Sequence, residues 1–460
     1  MSKIEVDAIV PQSGTTLTVG ESGDTITIPS GATFDASNAT TTLPSTIVTT
    51  TGSQTLTNKT IDVSQLSGTV ATSNLGTGTA DATTFLRGDQ TYASATPAAG
   101  SITTTQLAYN PNSFRNIIIN GDMSIAQRGT STSGITGNSY VVDRQQLRLL
   151  TLGTWTMSQD TDVPTGQGFT TSVKIECTTA DATPSTNDFC IFNQIIEGQN
   201  LQYLKKGTSS AESLTMSFWV KSNKTGTYIA ELWDNDNTRT INKSYTIDSA
   251  DTWEKKIITF EGDTTGAFDN DNGASLYART WLAAGSAWTG GTLQTSWGTR
   301  TPSNLAVGQV NLADSTSNYI NITGFQLEAG TTASDFEFLP YDVNLGRCMR
   351  YYEKLIMSNI AAVGYSNSTS NAITVMTSSY IKRTSPSLTI PPAGNGAGQI
   401  SFLTNAGVYP STFGSIVVFD TNITSFSLNQ TGMTGAYSGA GLGVALYGAD
   451  GESIGIDAEL

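Results

Sequence analysis

Residues 276–300 carry Tyr277, Trp281, Trp288 and Trp297 among Gly, Ser and Thr. An indole or phenol ring offers a flat apolar face on which the C–H face of a neutral sugar can stack, while Asn and Asp bind the sugar hydroxyls. These four residues are therefore candidate carbohydrate contacts. Trp288, just before Gly290-Gly291, sits in the most open loop pattern. The same residue types also build cores and subunit interfaces. Trp219, Trp233 and Trp253, on strand-like patterns, are read that way. Tyr365, Tyr380, Tyr409 and Tyr437 lie in or beside polar loops near the chain's end and are candidate recognition contacts, since loop tyrosines suit adaptable surfaces. Asp269 and Asp271 alternate ahead of Gly273, as Asp234 and Asp236 do in LWDNDN. Spaced oxygens around a Gly turn can wrap Ca²⁺, and Asx-turn chemistry explains the same letters. No other cofactor is suggested.

Other chemistries are excluded by composition. The 460 residues include no His, which removes Ser-His and Cys-His nucleophile pairs and His-ligated metals. With 23 Lys+Arg against 38 Asp+Glu the net charge is −15, a surface that repels phosphate backbones, so no nucleic-acid partner is expected. The many carboxylates could form a glycosidase pair anywhere, so such pairs carry no signal. No repeat suggests a parallel β-helix, and no enzyme is expected. The loop of Gly394, Gly396 and Gly398 has no following Lys-Ser/Thr and reads as an exposed tip rather than a phosphate loop. Cys177, Cys190 and Cys348 are odd in number and widely spaced, so buried free thiols are expected. No long apolar run and no signal-peptide pattern is visible, so a chain made and assembled in a cytosol, without a membrane span, is expected.

The elements that position these residues read as strands. Charged residues are only 13%, about half the usual share, too few for long solvated helices. Residues 1–100 hold 24 Thr and three aromatics, Phe34, Phe85 and Tyr92. Leu17 and Val19, then Ile26 and Ile28, alternate with polar residues between Gly and Pro, which predicts strand–turn–strand. Strands so short cannot bury a core in one chain, so several chains are expected to wind around a common axis. Residues 96–101 read as a linker. From Phe114 onward all seven Trp appear. Alternating segments predict strands at 115–120, 145–150, 172–177, 189–196, 214–220, 227–232, 255–260 and 319–327, the spacing of one large β-sandwich. Asp342 as N-cap, with Leu345, Cys348, Met349 and Tyr352 as a stripe, predicts a short helical junction over 342–352. Later strands are expected at 372–376, 387–390, 399–403, 416–419 and 444–446, with Asp450-Gly451 as a hairpin turn.

Several stretches resemble a known family. GSQTLTNKTID (52–62) and LGTGTADATTFLRGDQTYA (75–93) resemble linking motifs of tail fibres of tailed bacteriophages, and SGTTLTVGESGDTITIPSGATFDAS resembles the N-terminal stretch of marine-phage fibres. The Arg87-Gly88-Asp89 tripeptide falls inside the second motif, which explains it. RNIIINGDMSIAQRG (115–129), MSFWVKSNKTGTY (216–228), TWEKKIITFEGDTTG (252–266) and ITGFQLEAGTTASDFEFLPY (322–341) resemble strands of a carbohydrate-binding-module-like jelly roll in such fibres, and RCMRYYEK (347–354) resembles the junction after it. The resemblance covers residues 1–354. It implies an all-β, elongated homotrimeric fibre in a virion. Its parts would be a virion-attachment segment (1–45), a trimeric shaft and linker (46–113), a jelly roll (114–341), the helical junction (342–352) and a small β-sandwich receptor-binding tip (353–460). Expected partners are sibling chains, a tail, adaptor or nozzle protein at the N-terminus, and a host glycan or outer-membrane receptor at the distal domains. A tail or baseplate spacer and a glycan-degrading tailspike are the competing readings.

Overall fold

The computed structural model describes residues 14–16, 18–19, 21–33, 77, 84–86, 91–94, 114–356, 359–366, 372–390, 400–404, 407–409, 415–421, 423–431, 443–448 and 453–460. The chain divides into two units, Met1–Thr96 and Pro97–Leu460. The linker at 96–101, Arg87-Gly88-Asp89, the 394–398 loop and Tyr437 lie outside the described residues.

In the first unit the turns are where glycine predicts them. The Asp24 N–H donates to Glu21 O at 3.0 Å and the Ala32 N–H to Pro29 O at 3.0 Å, with Gly23 and Gly31 at positive φ. The strands between those turns do not form: the described residues of 18–30 make no ladder. Val19, Ile26 and Ile28 stand 62, 64 and 47% exposed. Strands β1 (Thr84–Leu86) and β2 (Tyr92–Ser94) form an antiparallel pair.

The second unit begins with a β-sandwich. Its strands are β3 (Ser131–Ile135), β4 (Ser139–Tyr140), β5 (Gln146–Leu150), β6 (Thr154–Asp160), β7 (Ser172–Thr179), β8 (Phe189–Glu197), β9 (Leu214–Ser222), β10 (Gly226–Asp234), β11 (Arg239–Ile247), β12 (Glu254–Phe260), β13 (Ala274–Ala284), β14 (Gly298–Thr299) and β15 (Tyr319–Ala329). They pair antiparallel in a seven-stranded sheet, β14-β11-β10-β13-β8-β5-β4, and a six-stranded sheet, β12-β9-β15-β7-β6-β3. Alternating side chains of both sheets meet between them. Phe192, Phe218 and Phe325, all fully buried, join the sheets with centroid separations of 5.8 and 5.9 Å. Burial of each such ring contributes on the order of 2 kcal/mol.

The strand expected at 115–120 is absent. Side-chain amides take three of its backbone N–H groups: Gln194 Oε1 accepts from Ile119 at 2.7 Å, Asn344 Oδ1 from Asn120 at 3.2 Å and Asn116 Oδ1 from Ile118 at 3.0 Å, while the Ile117 N–H donates to Leu327 O at 2.8 Å. All three cysteines are free and buried, as their spacing suggested.

A four-residue helix, α1 (Ser286–Thr289), lies in the long β13–β15 connection, and α2 (Tyr341–Met349) follows the sandwich. The α2 helix starts one residue before the expected cap. Pro340 takes the capping position, whose rigid φ suits a helix start, and Asp342 lies in the first turn. Then come β16 (Tyr352–Ile356), β17 (Asn359–Ser366), β18 (Ala372–Thr377), β19 (Ser387–Thr389), β20 (Ile400–Thr404), β21 (Gly407–Tyr409), β22 (Ser415–Thr421), β23 (Ser425–Thr431), β24 (Gly443–Gly448) and β25 (Ser453–Asp457). A second seven-stranded sheet has the order β21-β20-β24-β17-β18-β23-β22, and a three-stranded sheet the order β16-β25-β19.

The hairpin expected at Asp450-Gly451 does not form, because β24 and β25 belong to different sheets. The turn residues lie outside the described residues. What draws β25 away is its partner: Ile454 and Ile456 are fully buried between β16 and β19. The last residues then return to the sandwich. The Ala458 N–H donates to Tyr351 O at 2.7 Å, Glu459 pairs with Arg144, Asp457 pairs with Arg128 at 3.0 Å, and Leu460 packs on Ile119, Ile125, Cys348 and Tyr351. Lys382 and Glu353, each 1% exposed, pair at 2.5 Å beneath this root. Among the described residues no helix is long and apolar enough to cross a membrane.

Candidate functional site

Strand parity builds a patterned outer face on the seven-stranded sandwich sheet. Tyr228, Ala230 and Leu232 of β10 enter the core, so Ile229, Glu231 and Trp233 point outward. Leu276 and Ala278 of β13 do the same for Tyr277, Arg279 and Trp281. Register then aligns rows across the strands. Thr240, Trp233, Tyr277 and Ile195 form one row. Asn242, Glu231, Arg279, Asn193 and Gln146 form the next, and Ser244, Ile229, Trp281, Ile191 and Arg148 the third.

Glu231, fully buried, sits at the centre. Its carboxylate accepts from Trp281 Nε1 at 3.0 Å and Thr240 Oγ1 at 3.1 Å, and pairs with Arg300 at 3.3 Å and Arg279 at 3.5 Å. Burial pushes its carboxyl upward, but Arg279, Arg300 and the two hydrogen bonds outweigh that and hold it below the ordinary range. Burial drags the Arg279 guanidinium down to about 10, still charged at neutral pH.

Around this centre lies an aromatic stripe. Trp233 and Tyr277, both half-buried, lie 4.4 Å apart at 33°. The Arg279 guanidinium carbon is 4.3 Å from the Trp233 centroid and 4.5 Å from that of Tyr277. Arg300 bridges Trp233 and Trp288 at 4.9 and 5.9 Å. Trp288 packs on Trp281 at 5.7 Å and edge-on to Phe189 at 5.6 Å, and its N–H donates to Asn187 O. Leu305 and Ala306 cover Ile191, Ile229 and Trp281, closing the third row.

The polar row is not closed. Arg279 Nε and Nη2, Asn193 Oδ1, Asn242 Oδ1 and Trp233 Nε1 are buried without a protein partner. An unmade buried hydrogen bond costs about 1–3 kcal/mol, and such groups need an explanation in a ligand or ordered water. Five such atoms lie at this face beside two half-open rings; all five are shielded from solvent, so what the face exposes is the stacking area of the rings.

The expected residues separate here. Tyr277 and Trp288 lie on this face. Trp281 lies beneath it, fully buried, with no ring face to offer; it holds Glu231. Trp297 is elsewhere, its N–H on Glu261 O at 2.7 Å and its ring 5.6 Å from Lys206 Nζ. Trp233, Arg279 and Arg300 were missed. Parity with the apolar Leu232 would have turned Trp233 outward, and Arg279 is two residues from Tyr277.

Asp271 Oδ1 accepts from the Gly273 N–H at 2.7 Å, an Asx turn, and the Asp269 N–H donates to Asp236. That loop binds Arg383, whose Nη1 donates to Asn272 O at 2.9 Å. Among the described residues no three His, Cys, Asp or Glu side chains converge as a metal site needs. Tyr365 lies on β17 and Tyr409 ends β21; their side chains are outside the described residues. Tyr380 is 45% exposed, with its ring against Gly346 of α2.

No family model matches the chain, and no curated protein sequence matches it. Among solved structures, the enzymatically active domain of tailspike protein 4 from bacteriophage CBA120 matches at 14% identity and a TM-score of 0.25, over 47% of this chain and 21% of that one. The carbohydrate-binding module CBM4 matches at 11% identity and 0.23, over 46% of this chain and 97% of the module. A family 11 carbohydrate-binding module from Clostridium thermocellum, solved with a β-1,3-1,4-mixed-linked tetrasaccharide, matches at 11% identity and 0.22, over 45% and 98%. The chain thus has a distant structural similarity to carbohydrate-binding-module-like β-sandwich domains and to a phage tailspike domain. TM-scores this low decide no function, and the sheet registers carry the fold.

Proposed function

We propose that this chain is a phage tail-fibre adhesin that holds a host-surface glycan on the outer face of its seven-stranded sandwich sheet, without catalysis. The carrying observation is the unpartnered polar row beside the Trp233–Tyr277 pair. A sugar ring stacked on that pair would lie over the buried polar groups of Arg279, Asn193 and Asn242 and would meet them only as the covering side chains yield. Glu231 acts as the positioning residue, since its pairs with Arg279 and Arg300 hold both guanidiniums under the rings.

The N-terminal motifs support attachment to a tail, adaptor or nozzle protein and a homotrimeric shaft. The exposed Val19, Ile26 and Ile28 support the trimer, since sibling chains would cover them. Three weak sites on one stiff shaft then act through effective concentration, so a particle can search a surface reversibly.

The test is binding of the labelled full-length chain to host cells and a glycan array, alongside Trp233→Ala and Tyr277→Ala. Loss in both variants with unchanged thermal stability supports the site. Full binding by both overturns it. The spacer reading has its own observation, the cover of Leu305 and Ala306 over the third row; it expects no glycan bound by any form.

A further inference from the structure

A second recess lies where α2 meets the sandwich. It is a cavity of about 500 Å³ whose lining includes Arg144, Arg347, Arg350, Gln194, Ile195 and Tyr351. Three guanidiniums around one recess are unusual in a chain with a net charge of −15.

Two of them are matched by carboxylates. Arg350 makes a bidentate pair with Glu197, both hydrogen bonds 2.8 Å. Arg144, 1% exposed, pairs with Glu459, donates to Ile195 O and stacks 3.5 Å from the Tyr351 centroid. Its Nε, also buried, has no partner. The third is unmatched. Arg347 is half-buried, and its one hydrogen bond is a long 3.4 Å contact from Nη2 to Asn116 O. No carboxylate forms an ion pair with it among the described residues. Glu337, whose charge reaches it, has its oxygens on the Phe114 and Asn116 N–H groups. Burial and the neighbouring Arg144 both work against the Arg347 charge.

A half-buried guanidinium with free N–H groups facing a saccharide-sized recess is built to receive a planar oxyanion, which a guanidinium fork binds bidentately. The charge balance selects the anion: one unmatched cation fits a single negative charge. A uronate carries one at neutral pH, whereas a phosphate ester carries about −1.5 to −2. Phe114, 60% exposed, with Ile117, Ile119 and Ile195 gives the rest of the lining the apolar area that a sugar ring covers.

We propose that this cavity binds a carboxylated sugar residue, its carboxylate on Arg347 and its ring against the apolar wall. The site is separate from the outer-face stripe and does not depend on it, although Ile195, in register with Tyr277, belongs to both borders.

The experiment titrates the full-length chain with methyl β-D-glucuronide, methyl β-D-glucoside and inorganic phosphate, followed by calorimetry and saturation-transfer NMR. The glucuronide is expected to bind about tenfold more tightly than the glucoside, the worth of one charge-assisted pair. Arg347→Gln should abolish that preference and Arg347→Lys should keep part of it. Trp233→Ala, which removes the other site, should leave it unchanged. Equal binding of glucuronide and glucoside overturns the proposal, as does an undiminished preference in Arg347→Gln. Phosphate binding more tightly than the glucuronide through Arg347, or no binding at all, also overturns it.

Discussion

Glu231 and Asp143 respond to pH with opposite signs. Glu231 is held below its ordinary range in the fold, so its contribution is complete above the unfolded value near 4.5 and is lost as pH falls through the lower folded value. Asp143 is lifted by burial from 3.8 to about 6, against the pull of hydrogen bonds from Gln127. Its contribution is complete below 3.8 and is lost as pH rises through about 6. Thermal melts from pH 3 to 7 should therefore lose part of their acid-side slope in Glu231→Gln and gain stability between pH 4 and 6 relative to the parent in Asp143→Asn. Glu231→Gln should also cost about 3–5 kcal/mol at pH 7, because Arg279 and Arg300 would be left charged and unpaired. The tryptophans divide similarly by burial. Trp281→Ala should destabilise by about 3–5 kcal/mol. Trp233→Ala, cutting a half-open ring, should cost much less and register instead in glycan binding. Equal stability losses in the two variants would contradict this division.

At the scale of elements, the chain's end is part of the sandwich's support. β25 pairs with both β16 and β19, and Glu459 meets Arg144. Truncation after residue 352 would remove that carboxylate from a buried guanidinium and uncover Cys348 and Tyr351. We expect it to cost about 3–5 kcal/mol through Arg144 alone. Replacing 357–452 by a short turn keeps β25 and Glu459 but removes β19 and Lys382, so it should recover the Arg144 share of that loss and still melt below the parent. Differential scanning calorimetry of the two deletions checks the difference. The segment after Phe114 has a similar local constraint. A Cβ on Gly121 would lie 2.0 Å from Phe325 O, where β15 bulges and the Phe325 N–H donates to Gly121 O at 2.9 Å. Backbone on both sides leaves no room to yield, so Gly121→Ala should destabilise by about 2 kcal/mol or more.

For the whole molecule the decisive quantity is the number of chains. The described part of the first unit has turns but few paired strands, and its apolar side chains face outward. The proposed trimer would give them partners. Mass photometry of the full-length chain should find particles of three times 48.4 kDa. Removing residues 1–113 should leave single-site glycan affinity unchanged and reduce adhesion to cells by about 10²–10⁴-fold through lost avidity. A monomeric full-length particle would remove the shaft from the account.

Much of the strand pattern was legible because a half-buried strand writes its period directly: 227–232 and 319–327 lie inside β10 and β15. Free buried cysteines and a β-rich body followed from composition and spacing in the same way. Residues 115–120 misled because the apolar run is real but only Ile117 bonds a strand, at Leu327 O, while Gln194 and Asn344 side chains from far along the chain take the Ile119 and Asn120 N–H groups. The hairpin at Asp450-Gly451 misled because turn letters are local, while β25 is claimed by β16 and β19 from a distance. Residue type alone proposes Tyr277 and Trp288, and the structure puts both on the outer sheet face. That Trp281 is buried beneath the face and that Trp233 and Arg279 share it with Tyr277 depended on cross-strand register, and the β13–β15 connection places Trp297 away from it and Arg300 beside it. Register relates segments as far apart as β10 and β13, which set Trp233 opposite Tyr277, so only the folded sheet decides which rings share a face and which polar atoms remain without partners.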